Sequence, residues 1–156
     1  MLDIRIPGRG AQSYRYLVLD LNGTLALDGA LLPGVADRLR ALSGLFGIQV
    51  ITADTFGKAA DSLRDLPLEL MVLDARARGE VKAAAVEKLG GSRTIAVGNG
   101  SNDGAMLKEA ALGIAVNGPE GCAREALLAA DILAPDIRAA LDLLLEPERL
   151  VATLRR

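Results

Sequence analysis

The sequence predicts an α/β fold: one domain, residues 1–156, with a three-layer, Rossmann-like parallel sheet carrying helices on both faces. Three observations predict it. Short apolar runs alternate with longer segments of helical period, five or six times along the chain. The runs are apolar on both of their faces, which suits strands buried between helices better than strands with a wet side. Hydrophobic residues make up 51% of the 156, with only two Phe, two Tyr and no Trp, so the core is aliphatic and large enough to be stable.

The elements follow in order. "LDIRIPG" (2–8) reads as an extra edge strand paired with the first core strand, "YLVLD" (16–20). Pro33 and Gly34 open a helix whose apolar residues 35, 39, 42, 45 and 46 share one face. "GIQVITAD" (47–54) is a strand, "FGKAADSLRDL" (56–66) a helix and "LELMVLD" (68–74) a strand. "GEVKAAAVEKLG" (79–90) is a helix closed by Gly90 and Gly91. "RTIAVGNG" (93–100) is a strand, "NDGAMLKEAA" (102–111) a helix and "LGIAVN" (112–117) a strand. A helix from near Pro119, a short strand "DILA" (131–134) and a last helix from Pro135 complete the set.

Composition narrows the function. Lys plus Arg is 18 against 20 Asp plus Glu, and no aromatic cluster offers a stacking platform, so no nucleic-acid partner is expected. No run of 18 apolar residues exists, so no membrane association is expected. The N-terminus has no apolar signal core, and one cysteine, Cys122, rules out an internal disulfide; a reducing, cytoplasmic location fits. There is no histidine. Catalysis would therefore fall to carboxylates, Lys, Thr, backbone amides or a hard metal ion.

Ligands of such sheets bind beyond the carboxyl ends of the strands. Asp20 and "LNGT" follow the first core run, and Thr52, Ala53 and Asp54 end the second. Gly98, Asn99, Gly100, Ser101, Asn102 and Asp103 follow the fourth, and Lys82 lies early in the preceding helix. These groups are expected to converge on one edge.

"DLNGTL" (20–25), "ITAD" (51–54), Lys82 in "KAAAVEKLG" and "GNGSNDGAML" (98–107) resemble the four ordered motifs of the haloacid dehalogenase (HAD) superfamily. The likeness covers nearly the whole chain. Lys82, Val86, Leu89 and the "GNGSND" loop resemble the phosphorylation domain of P-type ATPases and the small soluble P-type ATPase-like proteins.

The resemblance implies a Mg²⁺-dependent phosphatase or phosphotransferase. Its catalytic positions map to Asp20 as nucleophile, Asn22, Thr52 and Lys82. Phosphate binding maps to Gly23, Thr52, Ala53 and Lys82, and Mg²⁺ binding to Asp20, the Asn22 carbonyl and Asn99, with Asp103 in support. The chemistry suits the residue types. A carboxylate attacks phosphorus, a cation and an ammonium offset the repulsion between anions, and oxygen ligands suit Mg²⁺. Only 31 residues lie between Asp20 and Thr52, and 29 between Thr52 and Lys82, which leaves no room for a cap domain. Uncapped relatives act on large phosphorylated partners or close the site by forming homo-oligomers. The substrate expected here is a phosphorylated small molecule or macromolecule. No adenine pocket is legible, so ATP is not favoured.

Two departures matter. Asn22 stands where most phosphatases of the superfamily carry a second acid, and an amide cannot relay a proton. Asn99 stands where an Asp usually binds the metal, so one negative charge is missing. Both support a rival expectation: a non-catalytic or weakly catalytic phosphate- and Mg²⁺-binding regulatory module. Other readings fail on spacing. In "DLNGT" the glycine is fourth, not sixth as a calcium loop needs, and Asp103 stands where G-x-G-x-x-G needs its last glycine. Asp28 and Asp54 read as cap or turn residues, Asn102 as a loop-shaping residue and Cys122 as packing.

Overall fold

The computed structural model describes residues 1–53, 58–74, 76 and 79–156. The predicted strand residue Asp54 and the start of the helix predicted from residue 56 lie outside that set. Six parallel strands form the central sheet: β3 (Tyr16–Asp20), β6 (Gly47–Thr52), β7 (Glu69–Val72), β8 (Thr94–Gly98), β9 (Leu112–Val116) and β10 (Ile132–Ala134). Their order is β10-β9-β8-β3-β6-β7, and every neighbouring pair is parallel. Each residue of β8 and β9 is buried, which is why those runs carry no polar alternation.

Helices cover both faces. α1 (Val35–Leu42), α6 (Ile137–Leu145) and α7 (Pro147–Leu154) bury Leu39, Leu42, Leu141, Leu144 and Leu150 in the larger core, and α2 (Ala59–Leu63) adds Leu63. On the other face α3 (Gly79–Leu89), α4 (Gly104–Glu109) and α5 (Arg124–Ala129) bury Val86, Met106, Leu107 and Ala126. No helix among the described residues is long and apolar enough to cross a membrane.

Three expectations need correction. The opening strand β1 (Leu2–Ile6) does not pair with β3. It forms an antiparallel hairpin with β2 (Gly10–Tyr14), because Gly8 adopts φ 82° and Arg9 N–H bonds back to the Ile6 carbonyl at 2.9 Å. No helix begins at Pro119. The Gly121 amide bonds the Gly118 carbonyl at 2.9 Å, Gly121 takes φ 82°, and α5 starts at Arg124. The final helix is two, divided at Glu146 (φ −119°, ψ 73°), after which Pro147 has no N–H to continue the ladder. A small hairpin of β4 (Ala26–Leu27) and β5 (Ala30–Leu31) lies between β3 and α1.

Register sets the functional edge. Asp20 lies beside Ile51, so Thr52 stands one residue past its level. Leu19 pairs with Val97 and Gly98 with Ala115. Asn99 and the chain after Val116 therefore leave the sheet at the same edge as Asp20.

Candidate active site

The centre of that edge is a buried ionic chain. Lys82, in the first half of α3, is 2% exposed and donates from Nζ to Asp20 Oδ1 at 2.6 Å and to Asp103 Oδ1 at 2.7 Å. Asp103 ends a 3₁₀ turn (Ser101–Asp103), and its Oδ2 accepts the amides of Asn99 at 3.0 Å and Gly100 at 2.9 Å. One carboxylate thus shapes the loop with one oxygen and anchors the lysine with the other. The loop must pass close to do so: a Cβ at Gly98 would lie 2.6 Å from Asp103 Cγ.

Burial first, and repulsion from Asp103 second, push the Asp20 carboxyl up to about 6; Lys82 and the Thr24 hydroxyl pull the other way. At neutral pH the carboxylate still predominates. Burial works against the Lys82 charge, but Asp20 and Asp103 outweigh it and raise its pKa above the ordinary lysine value. Lys82 is a fixed cation rather than a proton donor. Two carboxylates against one ammonium leave one net negative charge.

Thr24 completes the geometry. It is fully buried, and its Oγ1 lies 3.1 Å from Asp20 Oδ2 and 3.0 Å from Asn99 Oδ1. A hydroxyl has one proton, so it serves one of the two oxygens at a time. The Asn99 amide donates from Nδ2 to the Gly121 carbonyl at 3.1 Å, which leaves Oδ1 facing Asp20. Asp20 Oδ2, Asn99 Oδ1 and the nearby backbone carbonyls are hard oxygen donors of the kind a divalent cation takes, so the residues fit one. Among the described residues no three acidic side chains converge closely enough to hold a metal by themselves. Amide or carbonyl oxygens must therefore take part.

The turn after Asp20 is tight. Leu21 carbonyl accepts from Thr24, Leu25 and Ala26, and Gly23, at φ 80°, spends its own amide on the Ala26 carbonyl at 2.8 Å. Gly23 thus shapes the turn, and its N–H points within it. Asn22 Oδ1 is buried without a hydrogen-bond partner among the described residues. An orphaned buried acceptor of this kind costs about 1–3 kcal/mol, so it favours an incoming donor. Thr52 is buried at the end of β6, and Ala53 follows it, partly buried.

The predicted residues Asp20, Lys82, Asn99 and Asp103 are thus in contact or one hydrogen bond apart. Asn22 and Gly23 lie in the adjoining turn. Sequence reasoning passed over Thr24, which stands four residues after Asp20 within "DLNGT", and the loop after β9, which leaves the sheet at the same edge.

No family model matches the chain. Over 63 residues it is 52% identical to an uncharacterized protein of Methanocaldococcus jannaschii, a match spanning 40% of this chain and 68% of that protein. Its fold is similar to that of 3-deoxy-D-manno-octulosonate 8-phosphate phosphatase from Moraxella catarrhalis, solved with magnesium, phosphate and KDO. There the TM-score is 0.70 at 20% identity, over 91% of this chain and 94% of the phosphatase. It is also similar to a zinc-transporting PIB-type ATPase, with a TM-score of 0.62 and 29% identity over 79% of this chain and 20% of the ATPase. Sheet order, the sequence motifs meeting at one edge, and these likenesses agree: the chain has the fold of the haloacid dehalogenase superfamily hydrolases.

Proposed function

We infer that the chain is a Mg²⁺-dependent phosphohydrolase working through an aspartyl-phosphate at Asp20. The observation that carries this reading is the Asp20–Lys82–Asp103 chain: a carboxylate at the end of a central strand, held by a buried ammonium that a second buried carboxylate fixes in place. A binding pocket alone does not need a nucleophile so placed. Bound Mg²⁺ would supply charge that offsets the repulsion between the carboxylate and the phosphoryl oxygens. Asp20 and Asn99 side-chain oxygens and the Asn22 carbonyl would hold it.

An Asp20 oxygen attacks phosphorus as the bond to the leaving oxygen breaks. The Lys82 ammonium faces the charge gathering on the phosphoryl group, and Thr52 donates its hydroxyl there. The leaving oxygen takes its proton from solvent, because Asn22 has none to give. Water then attacks phosphorus, releases inorganic phosphate and restores Asp20. Without an acid–base group at position 22 both steps are slow, by roughly 10²–10⁴-fold against an enzyme that has one. The substrate is a phosphorylated small molecule or macromolecule in a reducing, cytoplasmic compartment, and a second copy of the chain is one means of covering the open site.

The neutral amides at Asn22 and Asn99 favour one other reading, a phosphate- and Mg²⁺-binding module with little or no turnover. Mg²⁺-dependent phosphate release from an aryl phosphate separates the two, with Asp20→Asn and Asn22→Asp measured beside the wild type. Slow wild-type turnover, none in Asp20→Asn and a gain in Asn22→Asp support the enzyme. Silence in all three, with Mg²⁺ still bound, supports the module.

A further inference from the structure

We propose that Glu120 supplies to the cation site the carboxylate that is missing at Asn99. The inference rests on the reading of Asp20 and Asn99 as cation ligands. Glu120 lies in the loop between β9 and α5, outside the four motifs.

That loop is fastened to the site at three points. Asn99 Nδ2 donates to the Gly121 carbonyl at 3.1 Å, and the Ala123 amide donates to the Asn99 carbonyl at 2.8 Å. The third point is backbone against backbone. A Cβ at Gly118 would lie 2.3 Å from the Gly23 carbonyl oxygen, so only glycine allows the loop this near the turn after Asp20. Pro119 fixes φ at the next position, and the Gly121–Gly118 hydrogen bond closes the turn. Glu120 is therefore carried on a short, braced turn.

Its carboxylate goes to the site. A Cβ on Gly23 would lie 2.5 Å from Glu120 Oε2, 2.7 Å from Asn99 Nδ2 and 3.0 Å from Asn99 Oδ1. The acid and the amide thus meet over one point, the open side of a glycine that no other residue could replace without touching both. The charge balance gives this meeting its meaning. Asp20, Lys82 and Asp103 together carry one net negative charge, and Asn99 adds none. Glu120 adds a second, on the Asn99 side. The residue is solvent-exposed, so its carboxylate can reach the ion directly or through one of the waters that Mg²⁺ keeps.

The test is Mn²⁺ titration followed by electron paramagnetic resonance, with thermal unfolding in EDTA as a folding control. The proteins are the wild type, Glu120→Gln, Asn99→Asp, the double variant and Asp20→Asn. Supporting ligands of this kind change metal affinity about 10–100-fold. Glu120→Gln should weaken Mn²⁺ binding about 10-fold with an unchanged midpoint in EDTA, and adding Asn99→Asp should restore wild-type affinity. Should Glu120→Gln bind Mn²⁺ as the wild type does while Asp20→Asn loses it, the proposal is overturned and the reading of Asp20 stands. Equal binding by wild type and Asp20→Asn would overturn both.

Discussion

Lys82 Nζ lies 2.6 Å from Asp20 Oδ1, and both side chains are almost wholly removed from water. The lysine is shared with Asp103 at 2.7 Å, so it is all that separates two buried carboxylates. Lys82→Met would leave them facing each other uncompensated. Breaking a buried pair from one side costs about 3–5 kcal/mol. Denaturant unfolding at mildly alkaline pH should show that loss. It should shrink on acidification, as Asp20 takes up a proton and the repulsion ends; a loss independent of pH would mean that packing of the lysine stem is what matters.

Asp20 also sets a pH dependence. Its pKa is raised from 3.8 to about 6, by burial first and Asp103 second. A carboxyl with a higher pKa folded than unfolded takes up a proton on folding. Its contribution to stability is fully present below 3.8 and is lost as pH rises through about 6. Asp20→Asn has no such proton. In EDTA, the variant should gain on the wild type across this window, by an amount on the order of 3 kcal/mol. Parallel stability curves for the two proteins would contradict the raised value.

The sequence made the sheet legible because the central strands β8 and β9 are apolar on both faces and each βα unit is short. It hid the β1–β2 hairpin because "GAQSY" buries only Tyr14, and it hid β4 and β5 because two residues carry no period. At the site, Asp20, Thr52, Lys82, Asn99 and Asp103 were legible as groups beyond strand ends or on the following helix. Thr24 and Glu120 were not. The place of Thr24 depends on how the turn folds, which no spacing reveals. Glu120 is an exposed turn acid whose relation to Asn99 arises only when Gly118 meets Gly23.

That meeting predicts an order among glycine substitutions. Gly118→Ala puts a methyl 2.3 Å from a backbone oxygen, so the loop must move off the turn. Gly23→Ala meets the ends of two side chains, yet it also holds φ 80°, which costs about 1–2 kcal/mol for a residue with a Cβ. Gly44→Ala meets nothing nearer than 3.8 Å and should lie within about 0.5 kcal/mol of wild type. Gly118→Ala should lose about 1–3 kcal/mol and also weaken Mn²⁺ binding, because it moves Glu120. Equal stability of all three variants would show that the loop yields without resistance.

Thr24 gives the last prediction. Its hydroxyl stands between Asp20 Oδ2 and Asn99 Oδ1, at 3.1 and 3.0 Å. Thr24→Val keeps the shape and removes the proton, so two acceptors are left facing each other in a buried space. The metal-free protein should lose about 1–3 kcal/mol, the usual cost of unsatisfied buried acceptors. Thr24→Ser, which keeps the hydroxyl, should recover most of it. A cation between the two oxygens relieves the same conflict, so saturating Mg²⁺ should raise the unfolding midpoint of Thr24→Val more than that of the wild type. Unfolding midpoints of the three proteins, each in EDTA and in Mg²⁺, check this. If Val and Ser behave alike, Thr24 is held for its packing and the hydroxyl has no part in bringing Asp20 and Asn99 together.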